Sequence, residues 1–518
     1  MIHDHDDLDL LLGQMFIFGF EGLTLSSEFV DFYKKYPAGG VILFRRNLQS
    51  PEQVKLLNAQ LLELAKSVRP EDDLLKAIDQ EGGNLSPLRG LVTSLPGNMG
   101  LAATNSPSAA YFAGLTVGNE LKSLGFNLNF APVLDLALQQ NPVISTRAFS
   151  DQPDVAAIFG KEYAQGISAT GILFTAKHFP GHGSCAGDSH LELPSCTEPA
   201  TTLRTRDLIP FQEVIRSNAA SVMMAHVKYE SLDPDNPASL SSWIIQDLLR
   251  DIIGFQGVVI TDCLEMSAIQ NFVPYPEDAV RAIEAGNDII LISHTPKHQM
   301  ASFKAVKNAI ISGRITIARI EESVARIRKW KQGRGQDPSL KTPEDVLKWT
   351  PESLAEKAIT LKSTKNHWHF NRQPLVLVMP IMERLTPSED FGSVDVIETE
   401  LAKYTVPCKR LDCASNPTIT EIQALISAVN KTGYGKVVLI LSNISNSPGQ
   451  LKLIEMLAEA NQVLLICTRN PQEVSILQED WPVIFTYSTE VAVLKALAKV
   501  LSGETQPGGK LPIVLGSN

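Results

Sequence analysis

Eight short apolar runs, spread over the first two thirds of the chain and separated by stretches of helical periodicity, constrain the fold more than any other feature. They are Met15 to Phe20, Gly40 to Phe44, Leu74 to Ile78, Leu128 to Val133, Ile172 to Ala176, Ser221 to Ala225, Val258 to Thr261 and Asp288 to Ile292. Runs of about four to eight apolar residues between polar or glycine-rich loops have the length of buried strands. Between them, apolar positions recur at helical spacing over Pro51 to Ser67, Ser106 to Leu124, Asp154 to Ala169, Leu203 to Ser217, Ser241 to Ile253 and Pro276 to Ala285. Several of these stretches open with Ser, Asp or Pro, residues that favour a helix start. Strands buried on both faces and joined by helices pair in parallel, and eight of them predict a (β/α)8 barrel. A doubly wound sheet is the alternative arrangement of the same elements.

At 518 residues the chain exceeds one ordinary domain. After a helix around Thr316 to Trp330, the segment Lys331-Gln332-Gly333-Arg334-Gly335-Gln336-Asp337-Pro338 has the Gly, Pro and charge content of a boundary. The predicted organisation is α/β throughout: a TIM-type barrel over 1–335, a linker over 336–372 and a smaller α/β sandwich over 373–518. The sandwich strands would be Leu375 to Met379, Val437 to Leu441, Val463 to Cys467 and Val483 to Thr486.

Charge narrows the partners. A formal net charge of -11 argues against nucleic acid and anionic membranes, which need a basic surface. The opening Met1-Ile2-His3-Asp4-His5-Asp6-Asp7 is acidic where a secretory signal is basic, and apolar runs stay well short of a membrane span. The six cysteines form no CxxC pair, which fits reduced thiols and, with the acidic start, predicts a cytoplasmic protein.

In a barrel, the polar residues that close each strand face one shared pocket. Asp79 ends the third run, Lys177 and His178 the fifth, His226 the sixth and Asp262 the seventh, while Arg147 lies in the loop after the fourth. Carboxylates, cations and imidazoles around an apolar mouth suit a molecule covered in hydroxyls, so a small carbohydrate is the expected partner. The loop from Lys177 to His190 allows two chemistries. His178, His182, Asp188 and His190 are of types that bind zinc or iron. Lys177, however, would place a cation beside the ion, and the spacing fits no helix-borne motif such as HExxH; no metal or cofactor is expected. In the other reading Asp188 and His190, two apart, share a face of an extended loop. The carboxylate then orients the imidazole as general acid and base, and His182 helps shape the Pro-Gly turn.

The motifs KHFPGHG and DSH, with DQEGG, NFAPVLD, TRAF, MMAH and GVVITDCLEM, closely resemble the β-N-acetylglucosaminidase branch of glycoside hydrolase family 3. The resemblance runs in order from about Gly13 to Arg328, and the ending Gly503 to Ile513 is similar to the close of that family's sandwich domain. It implies a retaining, exo-acting β-N-acetylhexosaminidase that releases N-acetylglucosamine from cell-wall muropeptide fragments or chitin oligosaccharides. It assigns Asp262 as nucleophile, His190 as acid/base and Asp188 as the group that orients His190. Asp79, Arg147, Lys177 and His178 would bind the sugar. One departure bears on substrate preference: where the family continues with two arginines after DQEGG, this chain reads Asn84-Leu85-Ser86-Pro87-Leu88-Arg89. Pro87 takes the place of an arginine that contacts sugar. A phosphorylase, another family 3 β-glycosidase, a metal-dependent hydrolase and a non-catalytic sugar-binding protein stay open as alternatives.

Overall fold

The computed structural model describes residues 5–138, 141, 143–185, 187, 189, 191–217, 221–333, 343–362, 368–382, 394–477 and 481–516. Each of the eight apolar runs forms strand: β1 (Phe16–Phe18), β2 (Gly40–Ile42), β3 (Leu75–Ile78), β4 (Leu128–Asn129), β5 (Leu173–Phe174) with β6 (Ala176–Phe179), β7 (Ser221–Met224), β8 (Val258–Cys263) and β9 (Ile289–Ile292). They pair in parallel in the order β5-β4-β3-β2-β1-β9-β8-β7-β6. The two ends of that order, β5 and β6, come from the fifth run and its continuation to Phe179. Thr175 separates them, and its N–H bonds to Ala131 O at 3.1 Å while Leu134 N bonds to Lys177 O at 2.7 Å. The fifth strand thus faces β4 with one half and β7 with the other, and the sheet closes into a barrel.

Some of the barrel's helices start at a side-chain cap. Ser50 Oγ accepts from Gln53 N ahead of Pro51–Val68, and Thr316 Oγ1 accepts from Arg319 N ahead of Ile317–Gln332. Their apolar faces and the strands form one continuous core. A small three-stranded sheet of Ser195–Cys196, Lys228–Tyr229 and Asp233–Pro237 lies outside the barrel order. Its short, polar strands left no apolar run to read.

The second sheet contains β10 (Thr360–Lys362), β11 (Leu375–Pro380), β12 (Cys408–Cys413), β13 (Lys436–Leu441), β14 (Gln462–Cys467) and β15 (Val483–Phe485), in the order β10-β15-β14-β13-β11-β12. β10 pairs antiparallel, the others parallel. The four strands read from sequence are the central ones. The two edge strands are additions, because an edge need be apolar on one face at most; β12 is Cys-Lys-Arg-Leu-Asp-Cys and has no fully buried residue. The stretch 336–372, read as a linker from its polarity, contributes helix Pro351–Ala358 and strand β10.

The two units share a face. Met99, Ala103, Ala137, Ile144 and Ala148 from barrel loops pack in one apolar cluster with Val376, Val437, Phe485 and Tyr487. Lys510 N donates to Ala103 O at 2.8 Å, and Val514 N to Asp151 Oδ2 at 2.9 Å. No helix among the described residues is long and apolar enough to cross a membrane.

Candidate active site

The barrel brings the strand-end residues together at its C-terminal mouth. Lys177 Nζ lies 2.8 Å from Asp79 Oδ1 and 2.7 Å from Glu81 Oε1. Arg147 grips the same Glu81 with two parallel bonds of 2.9 Å, from Nε and Nη2, the planar fork that matches a carboxylate. Burial opposes ionisation of Glu81, yet Arg147 and Lys177 hold its carboxyl down at about 2. Burial also opposes the Lys177 cation, and Asp79 and Glu81 together raise its proton affinity. Glu81 is therefore the counter-charge that lets two cations stand side by side.

Exposure separates the groups that hold from those that face the cavity. The side chains of Lys177, Glu81 and Asp135 are 3%, 2% and 0% exposed, whereas Asp79 and Asp262 keep 23% and 22%. Asp262 is the next-to-last residue of β8, where its Oδ1 accepts from Cys263 N at 2.7 Å. Burial raises its proton affinity, but His178, His226 and that N–H outweigh it and hold the carboxyl below the ordinary range. An accessible, ionised carboxylate at this point can act as a nucleophile.

His178 stands between two carboxylates. Its Nδ1 is 2.7 Å from Asp135 Oδ2, and its Nε2 is 3.9 Å from Asp262 Oδ2. Asp135 also accepts from His182 N at 2.7 Å, and it stays ionised against the cost of burial because His178 and His182 surround it. His226 has both ring nitrogens engaged, Nδ1 with Ser239 Oγ at 2.8 Å and Nε2 with Cys263 O at 3.0 Å. It braces the strand end that carries Asp262.

His182 is 4% exposed and shapes the turn, as its place in the Pro-Gly segment predicts. Asn141 Nδ2 donates to its Nδ1 at 3.0 Å, and Asn141 Oδ1 accepts from Val143 N and Ile144 N, which sets the amide's orientation. The His182 proton is then on Nε2, 3.2 Å from Ser189 Oγ. Ser189 O in turn accepts from Ala268 N at 3.3 Å. Ser189 is thus tied both to the His182 turn and to the segment following Asp262. Its neighbours Asp188 and His190 lie outside the described residues.

Among the described residues, one other group has metal-binding types close together: ligand atoms of Cys263, Glu265 and His294 lie within 4.8 Å of one another. Glu265 already accepts from Ser293 N, His294 N and Thr295 N, in the segment just ahead of helix Pro296–Ile311. In the histidine loop, the ring nitrogens of His182 and Nδ1 of His178 are likewise committed to protein partners.

A family model described as the glycosyl hydrolase family 3 N terminal domain matches residues 8–330, more than half of the chain. The chain belongs to glycoside hydrolase family 3. A family 3 β-N-acetylglucosaminidase from a Paenibacillus species has the same two-domain structure, with a TM-score of 0.90 and 34% identity over 99% of both chains. A β-hexosaminidase A of Pseudoalteromonas piscicida is 34% identical over 95% of this chain and 92% of its own length. A β-hexosaminidase of Alkalilimnicola ehrlichii is 36% identical over 65% of this chain and 99% of its own.

Within this family 3 site, Asp79, Lys177, His178 and Asp262 come together from the ends of their apolar runs, and Arg147 joins them from the loop after the fourth. Glu81 and Asp135 are the additions. Both stand inside the quoted motifs, but as loop residues whose partners come from other strands. At the departure after Gly83, Arg89 does not turn to the pocket: its Nη2 donates to Gly83 O at 2.6 Å and its Nη1 lies 3.1 Å from Glu490. Pro87 O instead accepts from Arg45 Nη1 at 3.2 Å.

Proposed function

We propose that the chain is a retaining, exo-acting β-N-acetylhexosaminidase that hydrolyses terminal β-linked N-acetylglucosamine from glycans such as cell-wall muropeptide fragments or chitin oligosaccharides. The observation that carries this reading is the accessible, ionised Asp262 carboxylate beside the clamp of Asp79, Glu81, Arg147 and Lys177. The choice of an N-acetylated sugar rests on the activities of the relatives.

In the first step the Asp262 carboxylate attacks the anomeric carbon while His190, oriented by Asp188, protonates the glycosidic oxygen. The bond to the leaving group breaks and a covalent glycosyl-enzyme forms. In the second step His190 takes a proton from water, the water oxygen bonds to the same carbon, and Asp262 is released. Asp262, held ionised, is unsuited to donate the first proton, so the acid must be another group. The hydrogen bond from Ala268 N to Ser189 O, the residue between Asp188 and His190 in sequence, supports giving that role to His190. Asp79 and Lys177 accept from and donate to sugar hydroxyls, and charged partners strengthen such bonds as the ring flattens in the transition state.

The test is turnover of an aryl N-acetyl-β-glucosaminide beside the matching β-glucoside. Wild type should prefer the former, and Asp262→Ala should lose on the order of 10³-fold or more in kcat. Full activity of that variant would remove Asp262 from the chemistry. A sugar 1-phosphate formed in phosphate buffer, in place of free sugar, would replace hydrolysis by phosphorolysis.

A further inference from the structure

Glu490 belongs to the second domain, where it precedes helix Val491–Leu501, and it is 3% exposed. Its Oε1 lies 3.1 Å from Arg89 Nη1, and its Oε2 accepts from Ser94 Oγ at 2.7 Å. A helix N-terminus favours a carboxylate there, and Arg89 offsets the cost of burying it. Arg89 carries this link inward, donating through Nη2 to Gly83 O.

Gly83 belongs to the turn that leaves Asp79 and Glu81. The turn depends on left-handed backbone at Gly82 (φ 88°) and Gly83 (φ 61°), closed by reciprocal bonds of 3.1 and 3.3 Å between Gly82 and Leu85. Gln80 joins it to the following residues: its Nε2 donates to Ser86 Oγ at 2.8 Å, and its Oε1 accepts from Leu88 N at 3.2 Å. The packing leaves no slack, since a Cβ on Gly83 would lie 2.8 Å from Gly97 Cα and 3.7 Å from Ser488 Cβ of the second domain. Residues 79–89 therefore form one hydrogen-bonded unit. One end holds the groups that face Lys177 and Arg147, and the other end is held by the second domain.

We propose that Arg89 and Glu490 are positioning residues through which the second domain holds Asp79 and Glu81 in register with Lys177 and Arg147. The role rests on the reading of that clamp as the sugar site. It also gives the residues after Gly83 a use: the arginine is spent on the domain contact, outside the pocket.

The experiment compares Glu490→Ala and Glu490→Gln in the full chain with Ser108→Ala, which removes the acceptor of Trp349 Nε1 (3.0 Å) in a contact that does not touch the turn. Amide hydrogen exchange over residues 79–90, KM and kcat for an aryl N-acetylglucosaminide, and thermal unfolding are read for each. Glu490→Ala should raise both exchange in 79–90 and KM about tenfold, with kcat changed less than about threefold. Glu490→Gln, which keeps an acceptor for Ser94, should fall between, and Ser108→Ala should alter Tm alone. If both Glu490 variants lower Tm but leave exchange and KM like those of Ser108→Ala, the pair merely joins the domains and the proposal is overturned. If wild type does not turn over the substrate, the functional reading fails, while the exchange data still decide the coupling.

Discussion

Buried in its turn, the His182 imidazole is neutral at pH 7: burial lowers it to about 4 against the opposing pull of Asp135. An unfolded histidine titrates near 6.5. Between about 4 and 6.5 the unfolded chain therefore binds a proton that the folded chain does not, and stability falls as the pH falls through that window. The shift corresponds to roughly 3 kcal/mol, with His226 adding in the same direction. Thermal unfolding of His182→Gln should show a smaller loss of Tm between about pH 7 and pH 5 than wild type; equal losses would place the slope elsewhere. At this scale the sequence was readable where a residue ends an apolar run, as Asp79, Lys177, His178 and Asp262 do. Glu81 and Asp135 escaped because their work is to neutralise side chains from other strands. Spacing along one chain does not encode the distance from Asp135 to His178, 43 positions apart in sequence.

Between the residue and the domain stand the loops that press against one another at the barrel mouth. Gly183 follows His182, Leu136 follows Asp135, and His182 N donates to Asp135 Oδ1 at 2.7 Å. A Cβ on Gly183 would lie 2.1 Å from Leu136 O, so any side chain there must push the two backbones apart. Gly183→Ala should cost about 1–3 kcal/mol of stability. It should also lower kcat/KM, because Asp135 carries His178. Tm and kinetics measured together check this; an unaltered Tm would mean that the loops yield without cost. The eight barrel strands were legible because burial on both faces makes them continuous apolar runs, and their helices because apolar positions recur at helical spacing between those runs. The strands that escaped, Ser195–Cys196 and β12 among them, are short or lie at an edge. Their apolar content is too low for periodicity to register, and pairing partners define them instead.

The whole molecule raises a question that neither scale answers: what a second domain adds to a barrel that already carries the clamp and Asp262. The Alkalilimnicola relative is matched over 99% of its length by 65% of this chain, so it is close to barrel size. In this chain, however, the loops after β3 and β4 turn Met99, Ala103, Ala137, Ile144 and Ala148 into the core of the second sheet. Met99 and Ile144 are 0% and 1% exposed, and removing the sheet would place them in water as a contiguous apolar patch, the kind of surface that drives association. Those same loops lead to Arg147 and, through Arg89 and Glu490, to the Asp79 turn. Truncation after Gly335 should therefore yield a barrel that elutes as aggregate in size-exclusion chromatography. Met99→Gln with Ile144→Thr should return part of it to monomer, yet with weakened substrate binding, because polar residues mend the surface but not the Glu490 contact. A truncated barrel that stays monomeric, with the KM of the full chain, would show that the second domain neither covers this face nor holds the turn.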